Sequence, residues 1–275
     1  MELKQLVQET KMMLSPIYGE REAMNITQIL KEDILNNNSI DLNEKELLDW
    51  HTALQRLMNH EPLEYITGIR YFLNLKLKVT PAVLIPRPET EELAALAIKY
   101  LKHQGRKKIL DIGTGSGCIA LAIKSACGHH DIHALDISSD ALEIAQFNAS
   151  QHHLNIVFHK GDILNASFWD QLPFPLDFII SNPPYITTHE SHLMSKSTLA
   201  YEPRIALFAE GDGLIFYRCI AEFGLKHLND KGIIFVEINE FFGQETTAIF
   251  KEFGYKDVEL LLDLSGKDRF LTCFK

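Results

Sequence analysis

Three short stretches of this chain carry residue types whose spacing suits them to chemistry. The first is Leu110-Asp111-Ile112-Gly113-Thr114-Gly115-Ser116-Gly117, a glycine run directly after an apolar segment. Alternate glycines let a backbone turn tightly and let a ligand approach without a Cβ clash. The second is Asp136, which closes the next apolar segment. A carboxylate placed there can accept hydrogen bonds from both hydroxyls of a ribose. The third is Asn182-Pro183-Pro184-Tyr185. Its two prolines remove two N–H donors and fix φ twice, and Asn182 is pushed out of the helical region. A rigid reader of a planar amide or amine results. The Asn182 side-chain oxygen and the Pro183 carbonyl can accept the two protons of an NH2 group, with the Tyr185 ring over its flat face.

These stretches need elements that bring them together. From about residue 90 the pattern alternates strand and helix. Strands are expected at 108–112, 132–135, 155–159, 176–180 and 232–238, with helices at 119–125, 139–150, 213–228 and 244–253. A last strand pair, 258–262 and 269–274, closes the chain. Short buried strands alternating with helices predict an α/β fold with a mainly parallel, doubly wound sheet. The carboxyl ends of such strands form the ligand crevice, so all three stretches are expected at one sheet edge.

The first 60 residues read differently. Apolar positions at three- and four-residue spacing predict helices over 2–14, 20–35 and 42–58, broken at Ser15-Pro16 and at Asn36-Asn37-Asn38. Leu47, Trp50, Leu54 and Leu57 fall on one buried stripe. Tyr71 to Thr80 alternates apolar and polar residues, as a hairpin or half-buried strand does. The expected division is a helical domain with hairpin and linker over 1–80 and a sheet domain over 81–275.

Composition narrows the classes. With 275 residues, 46% hydrophobic and 23% charged, the chain is that of a globular protein rather than a disordered or fibrous one. No apolar run reaches the roughly 20 residues that span a bilayer, and Met1 to Gln5 lacks a secretory signature, so a cytoplasmic location is expected. Lys plus Arg number 27 against 37 Asp plus Glu, a net charge of -10. That argues against nucleic acid as the main partner, because phosphate neutralisation dominates such affinity. Cys118, Cys127, Cys219 and Cys273 form no C-x-x-C pair. His129, His130, His133, His152 and His153 lack metal-ligand spacing, and no metal is expected.

The glycine run alone leaves the ligand open. Counted from Gly113, a dinucleotide fingerprint needs glycine where Cys118 stands, yet Gly115-Ser116-Gly117-Cys118-Ile119-Ala120 fits G-x-G-x-x-A. An NAD-dependent oxidoreductase therefore stays open on that loop, and Asn182 to Tyr185 weigh against it. A non-enzymatic binding module is the third class.

The pair D-x-G-x-G-x-G and N-P-P-Y resembles class I S-adenosylmethionine methyltransferases that act on a planar amino or amide nitrogen. Further segments resemble the release-factor glutamine methyltransferases, the PrmC/HemK family. They are Pro62-Leu63-Glu64-Tyr65-Ile66-Thr67-Gly68, Ile85-Pro86-Arg87-Pro88-Glu89-Thr90-Glu91, Tyr201-Glu202-Pro203-Arg204, Gly211-Asp212-Gly213-Leu214 and Asp263 to Arg269. The similarity runs from about residue 60 to the end. The resemblance implies a Rossmann-like sheet with an antiparallel last strand and a small helical N-terminal domain that docks the substrate. It implies methyl transfer from S-adenosylmethionine, leaving S-adenosylhomocysteine, to the glutamine N5 of the Gly-Gly-Gln motif in peptide chain release factors.

Carried onto this chain, Gly113, Thr114, Gly115, Ser116 and Gly117 would hold the methionine part of the cofactor and Asp136 its ribose. Asp162 and Ile163 would flank the adenine, and Asn182 would lie against the cofactor as well. Asn182, Pro183, Pro184 and Tyr185 would bind the glutamine amide, with Asn182, Pro183 and Tyr185 carrying catalysis. Arg87, Glu89 and Thr90 either join the site or stiffen a linker. Ile163 stands where many relatives have an aromatic residue, and Asn239 where glycine is expected. Residues 186–210 are expected to shape the substrate groove, and the protein is expected to be a monomer. The nearest rival is an amino methyltransferase acting on adenine N6 or guanine N2 of a nucleic acid, with Tyr185 stacking on a flipped base.

Overall fold

The computed structural model describes residues 3–35, 42–172 and 174–275. It separates into two compact units, one of residues 1–69 with 195–201, the other of 70–194 with 202–275.

The smaller unit is helical. Helices α1 (Leu3–Tyr18), α2 (Glu20–Ile34), α3 (Glu44–Met58) and α4 (Leu63–Thr67) enclose Leu6, Leu14, Ile26, Leu30, Trp50, Leu54 and Leu57. Leu47 is only half-buried at the edge of the expected stripe. The Trp50 indole N–H would be costly to bury alone and donates to Thr10 Oγ1 at 2.9 Å. Asn43 opens α3 through a reciprocal capping box with Glu46.

Helix α1 does not break at Ser15-Pro16; it runs through Pro16 to Tyr18. Pro16 lies in the last turn, where a missing N–H costs one bond and few residues follow. The chain turns instead at Gly19, whose φ of 81° is one that glycine adopts without strain. The break expected at Asn36-Asn37-Asn38, and Glu2 at the start of the first helix, lie outside the described residues.

The division falls at Ile69, the first residue of β1 (Ile69–Phe72), which turns into β2 (Leu75–Lys78). The hairpin's inward side chains Phe72, Leu75 and Leu77 are buried in the core of the larger unit, so alternation attaches this piece to the sheet domain. Helix α5 (Pro88–Leu101) follows, started by Pro88 in the first helical turn.

The sheet is then laid down by β3 (Lys108–Ile112), α6 (Cys118–Ala126), β4 (Asp131–Asp136), α7 (Ser139–Gln151), β5 (Val157–Lys160) and β6 (Leu176–Ser181). Two short helices, α8 (Lys196–Tyr201) and α9 (Arg204–Leu207), lie in the segment after β6. The chain continues through α10 (Ile215–His227), β7 (Leu228–Glu237), α11 (Gly243–Glu252), β8 (Lys256–Leu262) and β9 (Asp268–Phe274).

The seven strands are ordered β5-β4-β3-β6-β7-β9-β8. Neighbours from β5 to β7 pair in parallel, and β9 runs antiparallel to both β7 and β8. Both faces are covered. Ile109, Ala134, Phe178, Ile180, Ile233 and Phe235 enter one core, whereas Leu110, Leu135, Ile179, Ile234 and Val236 enter the other. Burial on both sides is why these strands read as nearly unbroken apolar runs. The order reverses at β3, with β4 on one side and β6 on the other, and a crevice opens at that point.

Candidate active site

Strand register brings the three chemical stretches together. Ile112 pairs with Leu135 on one side and Ser181 on the other, so Gly113, Asp136 and Asn182 leave the sheet side by side. The two loops approach closely, and a Cβ on Gly113 would lie 3.9 Å from the Asn182 carbonyl oxygen.

The glycine loop is built from backbone. Gly113, Gly115 and Gly117 have φ of 73°, 55° and 83°, all in the left-handed region. Gly113 N and Thr114 N both donate to the Leu135 carbonyl, at 2.8 and 3.0 Å. Gly115 N donates to Asp136 Oδ2 at 2.8 Å, and Ser138 N donates to Oδ1 at 2.9 Å. Burial pushes the Asp136 carboxyl upward, and its backbone donors from Ser138, Gly115 and Ile137 oppose that. A Cβ at Gly115 would meet no atom within 4 Å, so this position opens into free space. At Gly117 a Cβ would lie 2.5 Å from Leu121 Cδ1, because the start of α6 packs tightly there.

Thr114 and Ser116 are buried behind the loop. Thr114 Oγ1 donates to Asp111 Oδ2 at 2.6 Å, and Ala120 N donates to the same oxygen at 3.2 Å. Asp111 thus ties the loop to α6, and burial raises its carboxyl to about 7.

A cleft of about 340 Å³ opens here. Gly113, Gly115, Asp136, Gly161, Asp162, Ile163, Asn182, Pro183 and Pro184 line it, whereas Thr114, Ser116, Gly117 and Tyr185 do not. Ile137, Ile163 and Leu164 give it an apolar end beside Asp162, and Phe208, Ile215 and Phe216 form a further wall. Ile163 is held by its carbonyl, which accepts from Trp169 Nε1 at 2.7 Å. Gly161 is glycine for a packing reason: a Cβ would strike the Phe168 ring at 2.2 Å. From the segment 186–210, Ile205, Ala206, Phe208 and Glu210 reach the cleft.

The Asn182 loop is built from side chains. Asn182 Nδ2 donates to Thr90 Oγ1 at 2.9 Å, and Thr90 donates to Glu237 Oε2 at 2.8 Å. The Tyr185 hydroxyl donates to Glu237 Oε1 at 3.1 Å, and the ring packs against the sheet core. Burial pushes the Tyr185 hydroxyl upward, as does the nearby Glu237 charge. Glu237, 1% exposed, is raised to about 7 by its own burial.

Arg87 pairs with Glu202 at 2.5 Å, and Ile85 N donates to the same carboxylate at 3.2 Å. The Glu89 side chain has no hydrogen-bond partner among the described residues, and its charge bears on Glu237 and Tyr185. Asn239 donates to the Tyr185 carbonyl and to Glu190. Gly213 has a left-handed φ of 79° that a side chain would strain, and a Cβ there would lie 3.0 Å from Thr187 Cγ2 and 3.1 Å from the Tyr185 carbonyl oxygen. Within the Asp263 to Arg269 stretch a turn leads into β9, and Asp263 Oδ1 accepts from Ser265 N and Lys267 N and Oδ2 from Arg269 Nε.

Motif reading missed Glu237 altogether and left Thr90 between site and linker. The signal available was weak: a lone acid ending an apolar strand, in Val236-Glu237-Ile238. Among the described residues no group of three or more His, Cys, Asp or Glu is placed to hold a metal ion. No helix among them is long and apolar enough to cross a membrane.

Comparison with known proteins follows the same lines. Residues 88–221 match the family described as Methyltransferase small domain. A release factor glutamine methyltransferase of Flavobacterium psychrophilum is 37% identical over 270 residues, covering 94% of this chain and 94% of its own. One from Lactococcus lactis is 41% identical and covers 90% of each chain. In fold, the chain resembles a methyltransferase from Pyrococcus furiosus, with a TM-score of 0.55, 18% identity and coverage of 82% of this chain and 98% of that one. On the extent and identity of these matches, the chain belongs to the release factor glutamine methyltransferase family.

Proposed function

We propose that this protein methylates the N5 amide nitrogen of the glutamine in the Gly-Gly-Gln motif of peptide chain release factors, using S-adenosylmethionine. One observation carries the reading. The Asn182 amide stands beside the glycine loop with its NH2 already committed to Thr90, which leaves its oxygen as an acceptor for a substrate amide.

The cleft suits the cofactor. The open side of Gly115, the paired acceptor oxygens of Asp136 and the apolar end at Ile137 and Ile163 match an amino acid, a ribose and a flat base in that order. Bound there, S-adenosylmethionine supplies an activated sulfonium methyl group. Asp136 would hold the ribose, with Asp162 and Ile163 at the adenine. Aliphatic faces at Ile137 and Ile163 replace ring stacking by dispersion.

An amide nitrogen is a poor nucleophile because its lone pair is delocalised into the carbonyl. The chain's task is therefore alignment, and near-attack positioning can lower a barrier by about 7–11 kcal/mol. Asn182 Oδ1 and the Pro183 carbonyl would accept the two substrate protons and favour the positive charge that develops on nitrogen. Among the described residues no histidine lines the cleft, and the extra proton would leave to water after transfer.

We read the helical unit as the docking surface for the protein substrate, and the enzyme as a cytoplasmic monomer. The net charge of -10 supports a protein rather than a nucleic acid as the polymer recognised. The test is methyl incorporation into purified release factor, with its Gly-Gly-Gln glutamine replaced as control. Labelling of the intact factor alone is expected; labelling of DNA or RNA instead would overturn the reading.

A further inference from the structure

The hydrogen bonds behind Asn182 have a forced direction. Glu237 ends β7 and is sealed from solvent, and an ionised carboxylate can only accept. The Thr90 hydroxyl gives its single proton to Oε2, so it meets Asn182 with lone pairs. The Asn182 amide must then turn its NH2 toward Thr90 and its oxygen away. Tyr185 gives its proton to the other carboxylate oxygen. Both ends of the Asn182 to Tyr185 loop are thus fastened to one buried group, which β7 places next to Asn182 because Ser181 pairs with Val236.

We propose that Glu237 and Thr90 are positioning residues for methyl transfer: the buried carboxylate, acting through the Thr90 hydroxyl, dictates which way the Asn182 amide faces and holds Tyr185 beside it. The proposal rests on the function given above and extends it to residues that touch neither substrate nor cofactor. A reversed Asn182 would present its carbonyl to the lone pairs of Thr90 and its NH2 to the substrate NH2, a mismatch at both ends. Hydrogen bonds in series also polarise one another, so the charge on Glu237 makes the Asn182 oxygen a stronger acceptor.

Protonation offers a handle on this relay. Burial raises Glu237 to about 7, with Thr90, Tyr185 and Arg269 opposing the rise and Glu89 adding to it. Tyr217 from α10 and Cys118 from α6 also feel its charge. Once protonated, the carboxyl must donate through one oxygen, and either Thr90 or Tyr185 loses its acceptor. Relay and activity should therefore weaken together as pH falls through about 7.

The test compares Thr90→Val, which keeps the shape and deletes the hydroxyl, with Thr90→Ser, which keeps the hydroxyl. Thr90→Val should lower kcat roughly 30- to 100-fold, at or just below the roughly 10²–10³-fold loss on deleting a preorganised group outright, with cofactor Kd unchanged within about twofold. Thr90→Ser should return kcat to within about threefold of wild type. Glu237→Gln, a mimic of the protonated acid, should lower kcat about tenfold and remove the acidic limb of the pH profile. Equal kcat for the two Thr90 variants, or an unchanged limb in Glu237→Gln, would overturn the proposal.

A second readout needs no methyl transfer. The Asn182 side-chain NH2 should give a shifted, slowly exchanging proton signal by NMR in wild type and Thr90→Ser, and lose both properties in Thr90→Val. An unchanged signal in Thr90→Val refutes the relay. Failure of wild type to label any Gly-Gly-Gln protein refutes the function instead, and the NMR comparison still decides the relay.

Discussion

The two loops that meet at the centre of the sheet are made of different materials. The glycine loop takes its shape from left-handed φ values and from N–H groups bonded to Leu135 and Asp136. The Asn182 loop takes its orientation from side chains, Thr90 and Glu237, that lie 92 residues before it and 55 after it in sequence. A loop made of backbone can present donors and space to almost any ligand of the right outline. A loop fixed by side chains presents one acceptor in one direction. That division suits a shared cofactor on one side and a particular amide on the other.

On this division, substitutions separate by parameter. Asn182→Ala is expected to have the largest effect, a loss of kcat of roughly 10²–10³-fold, as for other groups that stabilise developing charge. Calorimetry should find cofactor binding still measurable, and near wild-type turnover on a Gly-Gly-Gln protein would break the assignment. Asp136→Ala should act on binding first. Removing a charged acceptor costs about 1.5–3 kcal/mol, or roughly 10- to 100-fold in cofactor Kd. A kcat defect at saturating cofactor with unchanged Kd would contradict it.

Glycine substitutions give the smallest and most diagnostic effects. Gly115→Ala incurs a left-handed backbone penalty of about 1–2 kcal/mol and points its methyl into open space. Its cofactor affinity should fall about tenfold while thermal unfolding moves only a few degrees. Gly117→Ala, against Leu121, should instead lower the melting temperature by clearly more. Similar melting curves for the two would erase the distinction between a glycine that faces ligand and one that faces the core.

The same contrast explains what could be read from the sequence. The strands at 108–112 and 176–180, the glycine run and Asn182-Pro183-Pro184-Tyr185 are local signals, so they were legible. The place of Asp136 beside the glycine loop was legible because it closes the apolar strand that follows that loop. Glu237 was not, since its importance arises only when β6 and β7 pair in register and α5 packs against β7. Nor could periodicity alone show that Phe72, Leu75 and Leu77 attach the hairpin to the sheet domain, because alternation gives the buried face and not the partner. Pro16 misled for a simple reason: a proline's cost depends on how many turns follow it, and α1 has almost none left.

The doubled acceptance by the Leu135 carbonyl, with Asp136 beside it, bears on the entropy of binding. Three consecutive N–H groups of the glycine loop are bonded within the chain itself, to the end of β4. Ordering a residue's backbone costs about 1–2 kcal/mol, and in a loop that holds cofactor as proposed above that cost would fall on folding rather than on each round of exchange. An enzyme that must release a spent nucleoside and take up a fresh one every cycle is served by a cradle that has nothing left to freeze.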